Sequence, residues 1–266
     1  MCRLLAYCGS PLFLEDLLIR PEGSLVSQSM AAREARTVVN GDGCGLGWYG
    51  ERPEPGLYRG ILPAWSDMNL VSLCGQIRSG LFLAHVRAAT SGGVSTTNCH
   101  PFAHGRHLFM HNGQIGDYAA KRRGVEAMIP DALYPHRKGT SDSEAIFLAA
   151  LGEGLEDDPA GAVARVLARI EALAGGSEPL RFAAVHSDGQ RLHAFRWASD
   201  GKPPSLYCRA TEEGVLIASE PCGSDPAGWA PIPAGSLLEA DGEGRAVLRA
   251  FAPTAAEFAG RSRRAA

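Results

Sequence analysis

Strand-like segments crowd both ends of this chain and helix-like segments fill its middle, and that order restricts the fold more than any other feature. Residues 3–8 (Arg-Leu-Leu-Ala-Tyr-Cys) read as an opening strand, residues 81–86 as a short and mostly buried one, and residues 106–111 as another. From Leu180 onward strands dominate, over 181–186, 191–197, 205–208, 215–219 and 246–251, separated by Asp-Gly, Gly-Lys-Pro-Pro and Glu-Gly turns. Helix signals lie between these groups. Ser66-Asp67 caps a segment with Leu70, Leu73, Cys74 and Ile77 on one face. Ser141-Asp142-Ser143-Glu144 has the spacing of a capping box ahead of a helix over 145–151. Pro159 opens a further helix with Val163, Val166, Leu167, Ile170 and Leu173 along one side. Ser10-Pro11 predicts one more helix, capped by the serine and ending before Pro21. Such an order fits an α+β layered domain better than an alternating βαβ sheet.

Composition narrows the function classes. At 266 residues, 45% apolar and 21% charged, the chain is long enough for one large domain or two small ones, and no linker or repeat divides it. A net charge of −3 offers no electrostatic case for nucleic acid or an anionic membrane, and the basic end Arg261-Ser262-Arg263-Arg264 reads as a solvated tail. No apolar run approaches a membrane span, and Glu15 and Asp16 interrupt the first apolar stretch, unlike a signal peptide. Seven cysteines, an odd number scattered through a sizeable core, fit a reducing cytoplasm better than a disulfide framework.

Cys2 is the first candidate for chemistry. Removal of Met1 would leave a residue bearing a thiol and a free α-amine on one carbon, a nucleophile with its own base. An α-amine titrates at about pH 8, so much of it can take a thiol proton under working conditions. The alternative is that Cys2 merely begins the first strand.

Four later segments bear on that choice. In 40–49, Asn-Gly-Asp-Gly-Cys-Gly-Leu-Gly-Trp-Tyr, four glycines in seven residues allow close backbone approach to a ligand. A phosphate loop is disfavoured, because neither G-x-G-x-x-G after a strand nor a following Gly-Lys-Ser/Thr is present, and a plain hairpin turn stays open. In 85–92, Arg87 closes an apolar strand, where its guanidinium can grip a carboxylate in bidentate fashion with Thr90 adding a hydroxyl; a structural ion pair is the alternative. In 98–113, Asn112-Gly113 follows a strand and reads either as a type I′ hairpin or as an oxyanion hole built from the Asn112 amide and the Gly113 N–H. In 139–144, Asp142 is explained by the helix dipole alone, or binds a substrate ammonium. His100, His104, His107 and His111, spaced four, three and four apart, suggest a zinc site. Pro101 and Gly105 interrupt a helix there, and strand alternation would separate His104 from His107, so no metal and no cofactor is expected.

Taken in order, Cys2, Asp42-Gly43-x-Gly45, His85-x-Arg87-x-x-Thr90, His100-Pro101-Phe102, His111-Asn112-Gly113 and Ser141-Asp142-Ser143-Glu144 resemble the glutaminase domain of class-II glutamine amidotransferases, which are N-terminal-nucleophile (Ntn) hydrolases. The likeness runs from Cys2 to about Leu151. It implies a four-layer αββα sandwich of two antiparallel sheets between helices. It implies Cys2 as nucleophile with its α-amine as proton shuttle, Asn112 and Gly113 as oxyanion hole, and Arg87, Thr90 and Asp142 as the groups that bind a γ-glutamyl head.

The chain also departs from the synthase members. It has Asn40-Gly41-Asp42-Gly43 in place of an Arg-Gly-x-Asp form, and Ala88 where an aromatic often follows the arginine. The segments 39–49, 84–88 and 97–102 look closest to a stand-alone branch that includes the amidotransferase-like subunit of the fungal glutathione-degrading complex, with a related branch that removes γ-glutamyl from an ergothioneine precursor. The resemblance therefore implies one glutaminase-type domain over 2–266 with no synthase domain. It also implies a cytoplasmic amidohydrolase acting on glutamine or a γ-glutamyl peptide such as glutathione. A separate synthase or peptidase subunit as partner, and a non-catalytic γ-glutamyl-binding protein, are the alternatives.

Overall fold

Alternation along the first strand sets up the layering. The computed structural model describes residues 2–34, 37–89, 93–174, 177–223 and 226–253. In β1 (Arg3–Phe13), Leu4, Ala6 and Cys8 share one face and Leu5 and Tyr7 the other, and all five are buried. A strand buried on both faces must lie inside a sheet covered on both sides. β1 does so, pairing antiparallel with β4 (Arg78–Val86) and β10 (Gly214–Ala218) at the centre of a seven-stranded sheet. β9 (Tyr207–Thr211) and β11 (Ala230–Pro231) extend it beyond β10, and β2 (Cys44–Trp48) and β3 (Gly56–Gly60) extend it beyond β4. The second sheet has the order β13 (Ala246–Ala250), β12 (Ser236–Asp241), β8 (Arg191–Ala198), β7 (Arg181–Ser187), β6 (His107–Gln114), β5 (Phe102–His104), and its pairs are also antiparallel.

Leu4, Ala6 and Cys8 meet Leu83, Leu108, Met110, Val185 and Ala194 between the sheets. The outer face of the first sheet, with Leu5, Tyr7 and Phe82, is covered by α1 (Glu15–Leu18), α2 (Leu25–Met30) and α3 (Met68–Gln76). The outer face of the second, with Phe109, Phe182 and Phe195, is covered by α4 (Tyr118–Glu126), α5 (Asp142–Gly152) and α6 (Pro159–Glu171). Helices, sheet, sheet and helices make the expected αββα sandwich. Among the described residues no helix is long and apolar enough to cross a membrane.

Several local expectations fail for physical reasons. Ser10 and Pro11 do not open a helix; β1 runs on to Phe13, with an irregularity in its register between Cys8 and Leu12. Proline, lacking an N–H, is tolerated in a strand at such an irregularity. The glycine-rich segment is not a hairpin turn. Cys44–Trp48 is β2, paired on both sides. Its glycines are there for space: a side chain at Gly45 would strike the His100 carbonyl, and one at Gly47 the side chains of Leu108 and Pro101. Asn112 and Gly113 also lie inside a strand, opposite Ala183 and Phe182. Ser141 caps α5 by accepting from the Ser143 N–H at 3.1 Å, but Glu144 turns away from the cap. Its carboxylate takes Arg137 at 2.8 Å and the N–H groups of Lys138 and Gly139 at 3.0 and 2.7 Å.

Candidate active site

One end of the sandwich holds a cavity of about 220 Å³ lined by Cys2, Arg87, Ala88, His111, Gly113 and Asp142, among others. Four of the expected residues thus meet there from β1's leading end, the end of β4, β6 and the first turn of α5. Asn112, immediately before Gly113, is 1% exposed. Thr90 falls outside the described residues. Thr37, Gln114, Ser143 and Arg181 also line the cavity. None of them is given a role by the sequence alone, although Ser143 lies inside the Ser141-Asp142-Ser143-Glu144 motif and Gln114 directly follows Asn112-Gly113.

The Cys2 thiol sits between the two polar groups of Ala88, 3.3 Å from its N–H and 3.4 Å from its carbonyl oxygen. Desolvation pushes the thiol pKa up, offset in part by the Ala88 N–H and by the charges of Arg87 and Arg3. Cys2 is therefore held as a neutral thiol, and any nucleophilic role requires a base to take its proton. Arg3, fully buried, donates from Nε to the Cys2 carbonyl at 2.8 Å and lies 3.6 Å from Glu220, which fixes the backbone that carries the thiol.

The glycine-rich segment braces the residues on either side of Ala88. The Asp42 N–H donates to the Arg87 carbonyl at 2.9 Å, and the Arg87 N–H donates to the Gly43 carbonyl at 2.8 Å. The Asp42 carboxylate accepts from the Ala89 N–H at 2.8 Å. The segment acts as a scaffold for the residues around Arg87. Arg87 is 5% exposed, and its guanidinium donates to the Gly93 carbonyl at 3.3 Å. Asn98 ties this loop to the helix entrance: its Nδ2 donates to the Gly93 carbonyl at 3.1 Å and its Oδ1 accepts from the Thr140 N–H at 2.7 Å.

Asp142 is held firmly. One carboxylate oxygen accepts from the Ile115 N–H and the other from the Ser143 N–H, both at 2.9 Å. The Ser141 and Ser143 hydroxyls also lie 3.5 and 3.4 Å from the oxygen that takes the Ser143 N–H, so the acceptor capacity left for a cation in the cavity is on the oxygen bound by Ile115. His111 donates from Nε2 to the Arg181 carbonyl at 3.2 Å, so its Nδ1 accepts from the Ser143 hydroxyl at 2.9 Å. Burial lowers the His111 pKa, with Asp142 acting in the opposite sense. Gly113 has φ +142°, and a Cβ there would run into the Arg181 carbonyl, so only glycine permits this strand geometry.

The four spaced histidines are dispersed. His100 packs on His85 at 4.3 Å, His104 on His136 at 4.6 Å and His107 on His186 at 5.3 Å, while His111 binds Ser143. Among the described residues no three His, Cys, Asp or Glu side chains are grouped to hold a metal.

The sequence pattern of the class-II glutamine amidotransferases matches residues 1–201. The chain belongs to this family of enzymes. It is 40% identical over 156 residues to the probable glutamine amidotransferase DUG3 of Saccharomyces cerevisiae, a match covering 55% of this chain and 44% of that protein. The chain thus spans less than half the length of this relative. It is 31% identical over 242 residues to the gamma-glutamyl-hercynylcysteine sulfoxide hydrolase of Mycolicibacterium smegmatis, covering 90% of this chain and 95% of that one. A solved glutamine aminotransferase class-II domain protein from Silicibacter pomeroyi superposes with a TM-score of 0.76 at 42% identity, over 95% of this chain and 100% of that one.

Proposed function

We propose that residues 2–266 form one glutaminase-type domain that cleaves the γ-glutamyl amide bond of glutamine or of a γ-glutamyl peptide such as glutathione. The observation that carries this reading is the convergence of Cys2, Arg87, Gly113 and Asp142 on one cavity. A γ-glutamyl head has one carboxylate, one ammonium and one electrophilic carbonyl. Arg87 grips the carboxylate, Asp142 binds the ammonium, and Thr90 helps position the glutamyl group. The carbonyl carbon is left facing Cys2.

The chemistry follows from the state of Cys2. Removal of Met1 frees the α-amine, which takes the thiol proton as Sγ attacks the γ-carbonyl carbon. The developing oxyanion receives hydrogen bonds from the Asn112 side-chain amide and the Gly113 N–H. The Asn112 Nδ2 is buried without a hydrogen-bond partner among the described residues, which suits a donor reserved for such a charge. As the C–N bond breaks, the ammonium on Cys2 passes its proton to the departing amine and a γ-glutamyl thioester remains. Water then attacks the thioester, giving its proton to the amine; the C–S bond breaks, the thiol is reprotonated and glutamate leaves. No metal or cofactor enters these steps. The unpaired state of all seven cysteines supports a cytoplasmic setting.

The relatives support γ-glutamyl chemistry but differ in leaving group, so substrate range is the test. The chain without Met1 is assayed on glutamine, glutathione and other γ-glutamyl amides, with glutamate and the released amine both measured. Hydrolysis of γ-glutamyl peptides by the isolated chain is the expected result. Turnover of glutamine alone, rising only when a synthase subunit is added, would replace this reading with that of an ammonia-supplying subunit.

A further inference from the structure

We infer that His85 is a positioning residue that holds the Asn112 amide with its N–H group turned to the reacting carbonyl; this rests on the oxyanion reading of Asn112 given above. His85 lies on β4, which pairs with the central strand β1, on the face it shares with Leu81 and Leu83, which belong to the core between the sheets. Asn112 lies on β6 in alternation with Leu108 and Met110, which belong to the same core. The two strands come from different sheets, and at the cavity end of the sandwich the two polar side chains meet. His85 Nε2 is 3.1 Å from Asn112 Oδ1, and each residue is 1% exposed.

An asparagine amide can be turned by half a rotation with almost no change of shape, so its partner decides which end faces where. The other imidazole nitrogen of His85, Nδ1, has no hydrogen-bond partner among the described residues. A proton on Nδ1 would be a buried donor with nothing to bind, whereas a proton on Nε2 is satisfied by Oδ1. The proton therefore belongs on Nε2, Oδ1 faces the imidazole, and Nδ2 is left on the far side. A turned amide would set N–H against N–H. Burial disfavours a second proton on the ring, and the neighbouring Arg87, His111 and Arg3 add to that effect. The ring is thereby kept as a neutral, single-tautomer donor. His85 touches Asn112 rather than the substrate, so it acts on the orientation of the oxyanion donor.

The test is a double-mutant cycle on the chain without Met1, with γ-glutamyl-p-nitroanilide as substrate. Asn112→Ala is expected to lower kcat by about a hundredfold or more. His85→Leu is expected to lower kcat by about tenfold or more with KM changed less than about twofold, and His85→Gln, which keeps an N–H donor, to recover most of the loss. In the Asn112→Ala background, His85→Leu is expected to change kcat by less than about twofold, because the amide it orients is gone. An equal loss in both backgrounds would overturn the positioning role and leave the oxyanion reading of Asn112 standing. Full activity of Asn112→Ala would instead remove that reading and this inference with it. Nitrogen NMR of the unsubstituted protein gives a second readout that no folding defect can confuse. A neutral His85 with its proton on Nε2 from pH ~8 down to ~5.5 is expected; a proton on Nδ1 overturns the inference.

Discussion

Cys2→Ala is expected to lower turnover by a factor on the order of 10⁴ or more while the protein stays folded and still binds its γ-glutamyl substrate. The size follows from the loss of the only group proposed to form a bond to the substrate. The intact fold follows from how little the thiol contributes to it. Its polar contacts are with the Ala88 N–H and carbonyl, and losing them costs about 1 kcal/mol. Arg87, Gly113 and Asp142, which line the same cavity, are untouched. Calorimetry with glutamine or the best γ-glutamyl peptide should give a dissociation constant within a few-fold of that of the unsubstituted chain. Turnover persisting in this variant would remove Cys2 from the mechanism.

Acid should destabilise the protein well above the range in which carboxylates titrate. His85, His100 and His186 are 1%, 4% and 0% exposed. Burial, reinforced by neighbouring histidines or arginines, lowers the pKa of His85 to about 3 and those of His100 and His186 well below the usual 6.5. In the unfolded chain these rings take a proton near pH ~6.5, whereas in the folded chain they do not. Their contribution is therefore fully present above that pH and is lost as pH falls toward the lowered folded values. Each ring contributes about 1.4 kcal/mol per pH unit in that window, so three together give about 4 kcal/mol per unit. Against a typical domain stability of about 5–15 kcal/mol, most of the margin disappears within two or three pH units. Thermal unfolding followed by circular dichroism should show a level midpoint from pH ~8 to ~7 and a steep fall below ~6.5. A midpoint constant down to pH ~5 would mean that these rings are charged or solvated in the folded protein.

The parts of the site that were legible in the sequence are those whose residue type is itself chemically demanding. Cys2, Arg87, Gly113 and Asp142 are far apart along the chain, and each alone had a structural alternative; their order, which resembles that of the class-II amidotransferases, joined them, and all four line one cavity. The helices at 68–76 and 159–171 were readable for a similar reason, since caps and a one-sided apolar pattern coincide there, whereas the helix at 142–152, buried on all sides from Asp142 to Ala150, was readable from its cap alone. What stayed hidden depends on contacts between distant segments. β2 was obscured because Gly45 and Gly47 make room for the residues at 100, 101 and 108 and carry no strand propensity of their own. Asn112-Gly113 mimicked a hairpin because only the pairing with Ala183 and Phe182 extends β6 through it. Glu144 fitted a capping box, but Arg137 and the N–H groups of the preceding loop outcompete the helix end for its carboxylate. His85 stood in plain view beside Arg87. Alternation from Leu81 and Leu83 places it on the inner face, but its partner on the other sheet is not readable from spacing.

The most direct measurement is intact and peptide mass spectrometry of the enzyme, quenched in acid during turnover of a γ-glutamyl amide. The expected result is a chain lacking Met1 that carries one added glutamyl group, acid-stable but released by hydroxylamine, on the N-terminal peptide that begins at Cys2. Turnover by a chain that retains Met1, or a glutamyl group found on any other residue, would contradict a γ-glutamyl thioester formed by an N-terminal cysteine.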